Sequence, residues 1–539
     1  MILHSPSMIE RYTRQGYWGN RTLLDRFAAS CAAHPQRPAV VDPLDRDQLL
    51  GTPPRSLHYA ELQAAVDAVA GALQRRGLRQ DDIVIAQLPN VWELAMLYLA
   101  VAKAGGILSP LPMQWRSHDV GYVAGLAEAR FYIGTEGFKG FDYLGMAHEL
   151  GIEQVISLHE LDAMAQTPGA APVDVRVDAN DVFTLCWTSG TEAEPKGCPM
   201  THNVWQFMGS RLVHLCGLQD GCRQLCVAPL VNMTGVGVNF IPWLLTAGTL
   251  VLHHPLNAEV LLRQLTGESI AFTILVPAIL NTIVKLPNVD QLDLSSVRTI
   301  TTGSAPPSAW SLQEFKRRWD IEIVNIWGQN EGSHLVAGPD DVPELEKRVD
   351  HFPFWGLPGR HWPSGMEDGL SLKLLDDTDN ELRAPGAIGE LCFRAPSLFP
   401  GYFKRPDITA RSFTQDGYFR TGDLFILHDA SSLGFYDRKK DMVIRGGFNI
   451  SSAEVENAVQ GHPKVADAAV IPVPDEIMGE RVCVCVVLRD ASVTLTLEEL
   501  VDWLKQDGMS LYKLPERLRI VSEIPRNPVG KILKTKLRA

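Results

Sequence analysis

The sequence lacks the positive charge a nucleic-acid scaffold needs: 50 Lys and Arg stand against 63 Asp and Glu over 539 residues, a formal net charge of −13. A local basic loop can still serve an anionic ligand. Paired cysteines are missing too. Nine cysteines lie scattered at 31, 186, 198, 216, 222, 226, 392, 483 and 485, and no second pair or His cluster joins Cys222 and Cys226 into a zinc site. They read as reduced, mostly buried thiols. The start, Met1-Ile2-Leu3-His4-Ser5-Pro6, has no basic stretch followed by an apolar core, so no secretory signal is visible and a cytoplasmic location is expected. Charge is absent altogether from Gln224 to Leu252, long enough to span a bilayer. Yet Pro229, Asn232, Gly235, Gly237, Asn239, Pro242 and Gly248 punctuate it into strand, loop, helix and strand. Buried core is expected there, with no membrane span. No internal repeat or low-complexity tract occurs.

What is present is an ordinary soluble composition, 45% hydrophobic and 21% charged. The length suggests roughly three or four units of about 150 residues. Strand and helix patterns alternate: Ile83–Gln87 strand, Val91–Ala104 helix, a strand from Gly106 to Pro110, then Val297–Thr301 strand, Pro306–Trp319 helix and Ile321–Ile326 strand. That rhythm predicts α/β layers with largely parallel sheets. From about residue 365 to 439, short strands (Ser371–Leu375, Gly389–Arg394, Gly434–Tyr436) between turn-rich segments predict a β-rich subdomain closing an N-terminal domain, 1–439. Residues 440–539 predict a separate small α+β domain: helix Ser452–Gln460, strands Ala466–Ile471 and Val482–Leu488, helix Leu497–Gln506 and a tail.

The most telling stretch is Thr188-Ser189-Gly190-Thr191-Glu192-Ala193-Glu194-Pro195-Lys196-Gly197, after the apolar strand Val182–Trp187. Glycines let backbone approach an anion, hydroxyls add donors, and Lys196 adds a mobile cation. This is the chemistry of a polyphosphate grip, though not the Gly-x4-Gly-Lys-Ser/Thr loop of nucleoside triphosphatases. A bland surface turn explains it about as well in isolation.

Four further clusters bear on it. Trp327-Gly328-Gln329-Asn330-Glu331-Gly332 follows a strand end, where α/β sheets bind ligands, and Glu331 can offer hard oxygens to Mg2+ on phosphates. Asp423, after the Thr421-Gly422 turn, can accept from a ribose diol, and Arg438 can pair with phosphate or ribose. The tail Pro525-Arg526-Asn527-Pro528-Val529-Gly530-Lys531 holds a lysine that can neutralise charge developing in a transition state. Each has an ordinary reading as a loop carboxylate, a turn or a solvated charge.

Their order and spacing resemble the acyl-adenylate-forming superfamily, which includes acyl-CoA synthetases and the adenylation domains of nonribosomal peptide synthetases. The match runs from Tyr17-Trp18 to Lys531. It looks most like bacterial medium-chain and alicyclic or aromatic acyl-CoA ligases through Gln87-Leu88-Pro89-Asn90, Trp115-Arg116, Thr201-His202-Asn203 and Arg445-Gly446-Gly447-Phe448-Asn449-Ile450. The stand-alone aryl-acid adenylating enzymes of siderophore pathways are close cousins.

The resemblance implies ATP, Mg2+ and coenzyme A. It implies that Thr188, Ser189, Gly190, Thr191 and Lys196 hold the β- and γ-phosphates, with Thr191 and Glu331 on Mg2+. Gly303, Ser304, Ala305 and Pro306 line the adenine and acyl pocket, Trp327 stacks on adenine beside Gly328 and Gln329, and Asn330 meets the α-phosphate. Asp423 takes the ribose with Arg438 beside it. Lys531 bridges acyl carboxylate and α-phosphate, Lys440 is the hinge, and Gly446 and Gly447 line the pantetheine tunnel. Asn232, Met233, Thr234, Gly237 and Gly303 are candidates for the acid pocket, and their small or flexible side chains suggest room for a bulky apolar group. The chain departs from the family pattern at three places. Asn330 stands where Thr is usual, Phe448 where Glu is usual, and Asn232-Met233 where aryl-acid enzymes carry His-Asn. The implied activity is an acid:CoA ligase. The alternatives are an acyl-AMP ligase loading a carrier protein, and a nucleotide-binding pseudoenzyme.

Overall fold

A computed structural model describes residues 1–538 apart from 168–171, 174, 189–193, 446–447, 476, 491 and 527–531. The chain divides into two compact units. The first is Met1–Val349 with Gly359–Leu370 and Arg394–Ser412; the second is Asp350–Pro358, Ser371–Phe393 and Phe413–Ala539.

The first unit is α/β, as its alternating pattern predicts. One sheet runs Gln154–Ser157, Phe131–Gly134, Ile83–Gln87, Ile107–Pro110, Val182–Thr188, Lys196–Thr201, parallel until the last pair, which is an antiparallel hairpin. A second sheet orders His334–Ala337, Glu322–Gly328, Thr299–Thr302, Phe272–Ile274, Arg223–Cys226, Thr249–Leu252, Pro38–Val41, Ser56–His58. Its inner pairs are parallel and both edges are antiparallel. Parallel strands are covered on both faces, so they read as unbroken apolar runs; Ile83–Gln87 is buried at every position. Helix Trp92–Lys103 is apolar all round and buried from Trp92 to Ala102, a core helix rather than a surface one. Its one buried charge, Glu93, is paired: Arg46 Nη1 donates to Glu93 at 2.8 Å and to Asp42 at 2.9 Å.

Several boundaries differ from the sequence pattern for physical reasons. The helix expected from Pro306 begins at Ala309, because Pro307 disfavours helical backbone before it and Ser308 is the side chain that caps Ser311 N–H at 3.2 Å. The strand expected at Val297–Thr301 is Thr299–Thr302, since Val297 N–H closes a turn onto Leu294 O. The strand expected to end at Ile326 continues to Gly328, held by antiparallel pairing with His334–Ala337.

The uncharged segment folds inward. It forms strand Arg223–Cys226, a turn of helix at Met233–Gly235, a π-helical turn at Val236–Phe240, helix Ile241–Leu245 and strand Thr249–Leu252. No helix among the described residues is long and apolar enough to cross a membrane. All nine cysteines are buried and free of disulfides.

In the second unit a sheet orders Phe352–Pro353, Ser432–Arg438, Phe419–Asp429, Ile388–Arg394 and Ser371–Leu375, antiparallel across the first four strands. Another sheet is dominated by the long antiparallel pair Val465–Asp475 and Gly479–Leu488, which extends beyond both predicted strands. Helices Ser452–Gln460 and Leu497–Gln506 bury Val455, Val459, Leu500 and Leu504 with Val470, Val482 and Val484 of that sheet.

Candidate active site

The site in the first unit grows from strand ends. Thr299–Thr302, Glu322–Gly328 and Arg223–Cys226 run parallel within one sheet, so Gly303–Pro306, Gln329–Glu331 and Asn232–Gly237 all come after carboxyl ends, and Trp327 and Gly328 are the last strand residues before Gln329. That edge is where open α/β sheets take ligands. Gly303 has no room for a side chain, since a Cβ there would lie 2.5 Å from Ile326 O. Ser304 has φ 72°, a left-handed backbone that costs a non-glycine residue about 1–2 kcal/mol, and Ser304, Ala305 and Pro306 are exposed.

The ends of the phosphate-grip segment, Thr188 and Lys196, lie on the antiparallel strands Val182–Thr188 and Lys196–Thr201. Thr188 and Lys196 are the last paired residues, with Lys196 N–H donating to Thr188 Oγ1 at 3.3 Å. Ser189, Gly190 and Thr191 lie outside the described residues.

Asn330 joins three of the predicted clusters. Its Nδ2 donates to Trp187 O at 2.9 Å, and its Oδ1 accepts from Met233 N–H at 2.9 Å. The hairpin, the Glu331 loop and the Asn232 segment therefore meet at one amide, whose nitrogen donates and whose oxygen accepts. Asn232 Oδ1 accepts from Thr234 and Gly235 N–H, so this oxygen is engaged as a helix cap. Gly237 is pressed by neighbours: a Cβ would lie 3.1 to 3.2 Å from Met233, Met208 and Trp205 side chains. Packing thus accounts for glycine at that position.

Glu331 is 7% exposed and accepts a hydrogen bond from Tyr402 Oη at 2.7 Å. Burial and the neighbouring Glu331 carboxylate push the Tyr402 phenol well up, so Tyr402 keeps its proton and donates. No described Lys, Arg or His pairs with this carboxylate. A buried carboxylate with one neutral donor and no described counter-ion suits a hard divalent cation. Gly332, at φ 97°, lets Ser397 pack onto the loop: a Cβ there would fall 1.9 Å from Ser397 O. Tyr402 was not singled out from the sequence. It lies 71 positions from Glu331, and no local pattern marks it.

In the second unit Asp423 and Arg438 are cross-strand partners, with Arg438 Nε 3.8 Å from Asp423 Oδ1. Asp423 is nearly buried, and the preceding Gly422 adopts φ 69°. Lys439 reaches Asp377 at 2.9 Å, and Lys440 O accepts from Arg538 at 3.4 Å. Asp437 anchors the next helix, accepting Ser452 N–H at 2.6 Å. Phe448 is 53% exposed and stacks on Tyr512 with centroids 4.9 Å apart. Gly446, Gly447 and Lys531 lie outside the described residues. The described His and acidic side chains form one compact group, Asp350, His351 and His428, in which His351 Nδ1 already meets Asp350 at 2.5 Å.

Residues 27–403 match the AMP-binding enzyme family model, and residues 454–531 match the AMP-binding enzyme C-terminal domain. The chain belongs to the AMP-binding enzyme family. Among its relatives, the medium-chain fatty-acid–CoA ligase of Escherichia coli K12 is 29% identical over 98% of this chain and 92% of its own length. The 2,3-dihydroxybenzoate-AMP ligase of Bacillus subtilis is 28% identical over 98% of this chain and 96% of its own. The ATP-bound structure of MatB from Rhodopseudomonas palustris superimposes with a TM-score of 0.82 at 25% identity, covering 96% of this chain and 98% of that one. A large N-terminal α/β region followed by a smaller C-terminal domain is the architecture of this family.

Proposed function

We propose that this AMP-binding enzyme is an ATP-dependent carboxylic acid:CoA ligase acting on a medium-chain, alicyclic or aromatic acid. The observation that carries the proposal is that Asn330, next to the buried Glu331, donates to Trp187 O on the hairpin whose last paired residues are Thr188 and Lys196. A carboxylate oxygen of the acid attacks the α-phosphorus of ATP, giving acyl-AMP and pyrophosphate. The coenzyme A thiol then attacks the acyl carbonyl, releasing AMP and forming the thioester.

Phosphoryl transfer of this kind rests on positioning and electrostatics. Lys196, with Ser189, Gly190 and Thr191, holds the β- and γ-phosphates. Gly303 to Pro306 and Trp327 to Gln329 border the adenine, and Asn330 faces the α-phosphate. Glu331 and Thr191 would hold Mg2+, which when bound neutralises charge on the phosphate oxygens. Asp423 and Arg438 take the ribose, and Lys531 neutralises charge as the acyl carboxylate meets the α-phosphate. The C-terminal domain, hinged at Lys440, then turns so that Gly446 and Gly447 flank the pantetheine arm. Asn232, Met233, Thr234 and Gly237 border the acid.

The second reading, loading of a carrier-protein thiol, is supported by the relative named salicyl-AMP ligase / salicyl-S-ArCP synthetase, 28% identical over 97% of this chain. Against a salicylate-type acid stands Asn232, whose amide oxygen is engaged as a cap. A panel of carboxylic acids assayed by pyrophosphate release, with coenzyme A or a phosphopantetheinylated carrier as acceptor, separates the two. Thioester formation on coenzyme A alone supports the first reading. Transfer to the carrier alone replaces it with the second.

A further inference from the structure

Segment Ser397–Arg405 is tied to both arms of the candidate phosphate site. Phe399 N–H donates to Glu331 O at 3.0 Å, and Phe403 N–H donates to Gly197 O at 2.9 Å. Tyr402 lies between these two anchors, and Thr409 Oγ1 accepts its N–H at 2.9 Å. From that fixed backbone the buried phenol reaches in two directions. Its hydroxyl donates to Glu331 Oε1 at 2.7 Å, and its ring face carries Lys196 Nζ 4.7 Å from the centroid. One side chain thus touches the cation of the phosphate grip and the carboxylate offered to the metal. A tyrosine that merely filled space would need neither contact.

We propose that Tyr402 is a positioning residue for the adenylation half-reaction, its hydroxyl fixing the Glu331 carboxylate and its ring fixing the approach of Lys196. The inference rests on the reading of Glu331 as a Mg2+ ligand. A charge-assisted bond restricts a carboxylate to one rotamer, and a ligand held in place pays no reorganisation when the metal arrives. The ring offers Lys196 a weak dock of the cation–π kind, strong enough to orient the ammonium and weak enough to release it to phosphate.

The two contacts can be removed separately. Tyr402→Phe keeps the ring and loses the hydroxyl, whereas Tyr402→Leu loses both. In acid-dependent ATP–pyrophosphate exchange, Tyr402→Phe should raise the Mg2+ concentration for half-maximal rate about 10-fold, the scale of one hydrogen bond to a charged group, with the KM of the acid within about 2-fold. Binding of Mn2+–ATP, read by electron paramagnetic resonance without turnover, should weaken by a similar factor. Tyr402→Leu should also raise the KM of ATP. In a Glu331→Gln background, Tyr402→Phe should have little further effect, because the two act through one contact.

Wild-type metal dependence in a folded Tyr402→Phe variant would overturn the proposal. So would a metal effect that persists undiminished in the Glu331→Gln background, a readout that stands even where Tyr402→Leu fails to fold. If Glu331→Gln alone leaves the metal dependence unchanged, the reading of Glu331 fails. If Glu331→Gln shifts it and Tyr402→Phe does not, only the role of Tyr402 fails.

Discussion

Replacing Glu331 by Gln should separate stability from activity. The carboxylate is 7% exposed and its described hydrogen bond comes from Tyr402, a neutral donor. Burying a charge with so little compensation costs several kcal/mol even after relaxation. The amide is nearly isosteric, and its oxygen can still accept from Tyr402. Removing the charge should therefore leave stability unchanged or raise it by about 1–2 kcal/mol. At about 2.1 cal/mol/K per residue the unit holding Glu331 shifts roughly 1.3 °C per kcal/mol, so Tm should hold or rise by up to about 3 °C. Acid-dependent pyrophosphate exchange should fall about 10²–10³-fold, the scale for removing one preorganised electrostatic group. Scanning calorimetry and the exchange assay on the same preparation test both halves. A Tm that falls by several degrees would mean that the carboxylate is held by a cation in the resting protein. Exchange within about 3-fold of wild type would remove Glu331 from the phosphate chemistry.

Other perturbations follow the same reasoning. Lys531→Ala should lower adenylation about 10²–10³-fold while sparing thioester formation from supplied acyl-AMP; equal losses in both half-reactions would refute its role. Arg46→Met should destabilise by about 3–5 kcal/mol, because Asp42 and Glu93 would remain buried without their cation, and urea unfolding with an unchanged m-value would show it. Burial lowers His4, His202, His254 and His334 from 6.5 to about 4. A depressed folded value means the unfolded chain binds more protons in between, so stability should fall as pH drops from about 6.5 towards 4. His202 Nδ1 accepts Leu23 N–H at 3.2 Å and so must stay unprotonated; His202→Asn should flatten that slope, and a slope identical to wild type would contradict the assignment.

The α/β class was legible because buried parallel strands and helices leave apolar runs of different period. Ile83–Gln87, Ser371–Leu375, Ser452–Gln460 and Leu497–Gln506 have the bounds their patterns predict. The hairpin return at Lys196–Thr201 and the edge strand His334–Ala337 were not foreseen, since antiparallel pairing depends on a partner rather than a local period. The π-helical turn at Val236–Phe240 leaves no apolar signature of its own in a uniformly buried segment. Local composition marked the Glu331 loop, Asp423 and the phosphate-grip residues as chemistry-bearing. It could not show that Asn330 would bridge Trp187 and Met233, or that Tyr402 would seat Glu331, because both contacts join segments distant in sequence.

The central claim, acyl-adenylate formation, is tested most directly by acid-dependent exchange of labelled pyrophosphate into ATP, followed by coenzyme A. With at least one medium-chain, alicyclic or aromatic acid, exchange should require both acid and Mg2+, and coenzyme A should then yield AMP and an acyl thioester. Exchange no greater than the acid-free blank across the panel, or release of ADP instead of AMP, would contradict it.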